Sequence, residues 1–146
     1  MSRVINLDST GKRRNQLRRT IAELLRHACQ KPAFDEDARD MLAMIVFCLQ
    51  EMGDGIEQSA CAWEGRNYWV KAEELRQRWR WVHQDAARLR RLLYHDEPGQ
   101  LPEVMASLLP HFSDVRIKRS MRKPDLWRGS YRRLLQEGAP AGGGKH

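Results

Sequence analysis

The chain has little cysteine, no Cys-x-x-Cys pair and no long apolar run. Cys29, Cys48 and Cys61 give an odd count, each in a helical stretch beside apolar neighbours. That pattern supplies neither a disulfide framework nor a zinc site, and reduced cytosolic thiols are the simpler reading. The most apolar stretch, Met41 to Leu49, is far too short to span a bilayer. The opening residues, Met1 to Asn6, lack the apolar core of a signal peptide. A cytoplasmic protein with no membrane partner is expected.

Signatures of catalysis are also missing. Ser9-Thr10-Gly11-Lys12 lacks the upstream glycine of a phosphate loop, and Arg13 stands where Ser or Thr would hold magnesium. Leu24, Arg80, Leu92 and Leu108 stand three residues before His27, His83, His95 and His111. No Glu-x-x-His pair therefore exists for a di-iron bundle, and no His-Glu-x-x-His for zinc. Cys48 lies where a thiolate is disfavoured. His27 is two residues from Cys29, on another helix face. Glu73-Glu74 and Asp35-Glu36-Asp37 sit at helix starts, where acids complement the dipole. No metal, cofactor or small-molecule substrate is expected, and the protein is read as non-enzymatic.

What is present is positive charge in blocks. The 146 residues carry a formal +7, but segments alternate: +6 over 1–31, −7 over 32–64, +5 over 65–95, −3 over 96–113 and +5 over 114–137. Either oppositely charged helices are neighbours, or basic segments converge on one surface for an anionic partner.

Apolar spacing predicts helices throughout. Val4–Leu7 reads as a short arm and Asp8–Gly11 as a turn. Leu17, Ile21, Leu24, Leu25 and Ala28 form one stripe of a first helix, about 12–29, ended by Pro32. A second helix, about 35–64, keeps steps of three and four from Ala38 to Trp63. Gly53 and Gly55 interrupt it, marking a kink or a close helix crossing. After a break at Gly65-Arg66-Asn67, a third helix of about 67–94 carries a heptad-like seam through Ala72, Leu75, Trp79, Val82, Ala86, Leu89 and Leu93. Two long helices joined by a short turn predict an antiparallel hairpin. A short helix follows from Pro102, and a last one from Pro124 or Asp125. Weak strand signals at 4–7 and 115–118 suggest a minor two-stranded ribbon. The Gly-rich residues 138–146 read as a disordered tail.

The predicted fold is thus all-α: a helical bundle of one domain, 1–137, built on the long hairpin with three shorter helices. The candidate site is arginine-rich. Arg13, Arg14, Arg18 and Arg19 cluster in the first helix. Arg119, Arg122, Lys123, Arg128 and Arg132 cluster near the end, with Arg116 and Lys118 just before them. Guanidinium groups suit phosphate, and Tyr131 beside Arg128 and Arg132 offers an Arg/aromatic surface. Nucleic acid is the preferred partner. The alternative is a protein-interaction or homo-oligomeric adaptor using the seam, the acidic second helix and Trp81. Trp81 lies off the seam, covered by another helix or exposed as a partner-binding anchor.

Overall fold

In the computed structural model, which describes residues 7–119 and 122–138, the α-helices are α1 (Leu7–Gln30), α2 (Glu36–Gly65), α3 (Trp69–Arg78), α4 (Arg80–Tyr94), α5 (Leu101–Leu108) and α6 (Ser130–Gln136). Single 3-10 turns occupy Pro98–Gln100, Leu109–Phe112 and Pro124–Leu126. The chain is all-α as expected, with no strand among the described residues.

Helix α2 is the axis. Asp35 caps it by accepting the Ala38 N–H at 2.8 Å, and Glu36 and Asp37 follow in the first turn. Leu42, Ile45 and Leu49 are fully buried, each worth about 1.5–3 kcal/mol of burial. Helix α1 runs antiparallel beside it, with Thr10 bonded to Ser59 at one end and Lys31 paired with Asp35 at the other. Helix α4 is antiparallel on another side, His83 meeting Gly53 and Asp96 just beyond it meeting Arg39. Between these, Asp40 accepts the N–H groups of Gly129 and Tyr131 and so seats the start of α6.

Several sequence expectations change. Helix α1 starts at Leu7, not near 12. Packing on the far half of α2, including the Thr10–Ser59 bond, overrides the turn chemistry of residues 8–11. The third helix is not continuous but breaks at Trp79. In an unbroken helix residues two apart point away from each other, yet here the Trp79 and Trp81 rings are 6.0 Å apart. The break is what lets them meet. Gly53 marks a close crossing: a Cβ there would run into the His83 ring, with Nε2 at 2.9 Å, whereas Gly55 faces open space. The last helix starts only at Ser130, after Gly129 turns the chain at φ 85°. The ribbon is absent on its second side, since 115–118 is irregular. Leu7 is helical, while Val4–Asn6 and the tail 139–146 lie outside the described residues.

Candidate nucleic-acid interface

After Phe112 the chain runs as a strap, residues 113–119 and 122–123, across the outer face of α1. Each crossing point is a hydrogen bond from or to a helix side chain. Arg18 grips Asp114 through two nitrogens, at 2.6 and 3.2 Å, and the His111 carbonyl at 2.8 Å. Arg26 donates to the Ile117 carbonyl at 3.1 Å. The Arg122 N–H donates to Glu23 at 2.9 Å, and its Nε donates to Thr20 at 3.0 Å. Val115 and Ile117 press down on the core between these points.

The strap and α1 enclose a cleft of about 400 Å³ lined by Arg19, Glu23, Ile117 and the basic residues Arg116, Lys118, Arg119 and Arg122. Its one carboxylate, Glu23, is 1% exposed and is already matched by Arg122 and His27. Arg19, Arg116, Lys118 and Arg119 are exposed and make no ion pair among the described residues. Four unmatched cations beside one cleft repel one another and attract anions.

The arginines singled out from the sequence therefore divide. Arg19, Arg119 and Arg122 come together, joined by Arg116 and Lys118. Lys123, next along the strap, is exposed. Arg13 is turned away, clamped on Glu51 at 2.6 and 2.9 Å. Arg18 is spent on Asp114, and Arg122 serves as an anchor more than as a free cation. Arg14 lies over the Trp79 ring at 5.1 Å. Burial, then Arg78 and Arg18, holds its guanidinium below the usual pKa. Arg128 lies over Trp127, and Arg132 is exposed on α6, so neither lines the cleft. The expected Arg128–Tyr131–Arg132 face is split, because the Tyr131 hydroxyl reaches inward to the Leu93 carbonyl at 3.2 Å.

Trp81 is not an exposed anchor. The 3-10 turn after α5 lays His111 over its ring, 3.7 Å between centroids and 2° from parallel, with Phe112 edge-on at 5.7 Å. A turn rather than a helix covers it. Sequence spacing had no means of showing this, because the partners are about thirty residues further on, in a 3-10 turn beyond α5.

The acidic helix α2 takes up much of its own charge locally. Arg76 is held by Glu57 and Glu64, and Lys31 by Asp35. Burial pushes the Cys48 thiol up to about 12, against the nearby guanidinium groups of Arg13, Arg122 and Arg133. Burial also raises Cys29, and a hydrogen bond to Glu57 raises Cys61. No thiol is poised as a thiolate. Among the described residues no cluster of His, Cys, Asp and Glu fits a metal ion, and no helix is long and apolar enough to cross a membrane. No protein-family model, curated protein or solved structure matches this chain.

Proposed function

We propose that this protein is a non-enzymatic, cytoplasmic module that binds nucleic acid by its phosphate backbone, in the cleft between α1 and the strap. One observation carries this reading: Arg19, Arg116, Lys118 and Arg119 gather at one cleft whose only carboxylate is already matched. No aromatic residue lines that cleft. Contact there is electrostatic and indifferent to base identity, with phosphates as the shared feature of any sequence.

The test is anisotropy of a labelled duplex titrated at several salt concentrations. Four phosphate contacts give a slope near −3.6 in log–log form, about a 100-fold loss of affinity between 50 and 200 mM salt. A flat response sinks the proposal.

The adaptor alternative has less to stand on. Ala72, Val82, Ala86, Leu89 and Leu93 of the seam are buried within the fold, and Trp81 is stacked on His111. Light scattering at two concentrations tests it directly; a mass that doubles would restore it.

A further inference from the structure

Away from the cleft, the turn between α2 and α3 presents consecutive large apolar side chains to solvent. Tyr68 is 52%, Trp69 61% and Val70 72% exposed. Other large exposed hydrophobics, such as Leu109, Leu126 and Leu135, are single and scattered. Isolated exposed side chains are ordinary, but a contiguous patch marks a contact surface. Two cations, Arg66 and Lys71, flank the tip, and the exposed acids Glu73 and Glu74 follow further along α3. Lys71 Nζ lies 4.8 Å and the Arg66 guanidinium 5.9 Å from the Trp63 ring, and Tyr68 stands edge-on to that ring at 5.5 Å. No acid occurs from Gly65 to Ala72, although Glu64, paired with Arg76, precedes this stretch.

We propose that the Tyr68-Trp69-Val70 tip is a shallow wedge for the surface of an anionic lipid bilayer, with Arg66 and Lys71 meeting the headgroups. Trp and Tyr favour the membrane–water boundary, and cations at the same level are drawn to anionic lipid. Successive residues entering a helix diverge by about 100°, so the three side chains fan out around the tip. A fan fits a fluid boundary better than a groove. It makes a poor ladder for bases, and Val70, the most exposed of the three, has no ring to stack. A second copy of the chain is a poor match too. At roughly 150–250 Å² per aromatic side chain, the exposed tip offers on the order of 300 Å², against about 800 Å² per partner in a stable interface. A surface contact needs no spanning segment, but it runs against the sequence expectation of no membrane partner. It is independent of the cleft, which lies roughly 25 Å away along α2 at about 1.5 Å per residue.

Co-sedimentation of the full chain with phosphatidylglycerol vesicles and with phosphatidylcholine vesicles tests this. Binding is expected to the first and only weakly to the second. W69S/V70S should reduce it to background, and R66Q/K71Q should lower it roughly 30-fold. These side chains are exposed, and unchanged circular dichroism confirms that the variants fold. R19E/R119E should keep vesicle binding, so failure of the cleft reading and failure of this one are separable. The proposal is overturned if the wild type ignores anionic vesicles or if W69S/V70S binds them equally well. It is also overturned if W69S/V70S instead loses oligonucleotide binding, which would assign the tip to base stacking. Loss of a concentration-dependent dimer in W69S/V70S, with vesicle binding intact, would assign it to a second copy.

Discussion

Basic side chains reach a helix surface in two contrasting ways here. Arg76 of α3 meets α2 and is clamped between Glu57, at 2.8 and 3.0 Å, and Glu64. Around Arg19 of α1, the neighbouring segment brings more cations, and the one carboxylate of the cleft, Glu23, is already taken. The alternating charge of the sequence allowed two outcomes, and the fold contains both. Pairing occurs where a basic segment lies along acidic α2. Accumulation occurs where two basic segments cross each other.

Four experiments break or sharpen that contrast. The largest effect is expected from Glu23→Ala. It removes the buried carboxylate that holds the strap and leaves Arg122 unmatched, at a cost of about 3 kcal/mol in urea unfolding. A loss below about 1 kcal/mol would mean that other contacts hold the strap. Next comes R19E/R119E. Both side chains are exposed, so stability should shift by less than about 0.5 kcal/mol, while duplex affinity falls about 100-fold, or ~2.7 kcal/mol. Equal affinity would separate the cleft from binding altogether. Third, His111→Ala strips the ring from Trp81. It should cost about 1 kcal/mol, shift tryptophan emission and leave oligonucleotide affinity unchanged.

The smallest effect is one of pH. Hydrogen bonds from Arg76 hold Glu57 and Glu64 below the ordinary value of 4.5. A carboxylate whose pKa is depressed on folding stabilises the native state fully above the unfolded value and progressively less as pH falls through the folded one. Stability should therefore decline below about pH 4.5, and Arg76→Gln should flatten that decline while leaving duplex affinity untouched. An unchanged profile would show that the clamp is no stronger in water than two separate charges.

Much of the architecture was readable because it rests on local chemistry. Pro32, the Asp35 cap and the break at Gly65-Arg66-Asn67 act on their own neighbours, and the stripes of α1 and α2 repeat every turn. The basic clusters were readable as composition. What spacing alone did not reveal depends on remote partners. The helix break at Trp79 has no proline or glycine to announce it. Trp81 is covered by a turn that carries no apolar rhythm. Which arginines stay unmatched depends on pairs such as Arg18–Asp114 and Arg13–Glu51, far apart in the chain. The strap resembled a strand because Val115 and Ile117 alternate with polar residues, the same pattern that a segment lying flat on a helix requires.

The bond from the Arg122 amide to Glu23 joins residues 99 positions apart. Closing a contact of such range carries a loop-closure cost, and it can form only after residue 122 has been made. During synthesis the first helix emerges long before its lid, and its cations then face solvent with no cleft to organise them. Under the proposed function, a grip on a polyanion matures only once the closing segments have left the ribosome.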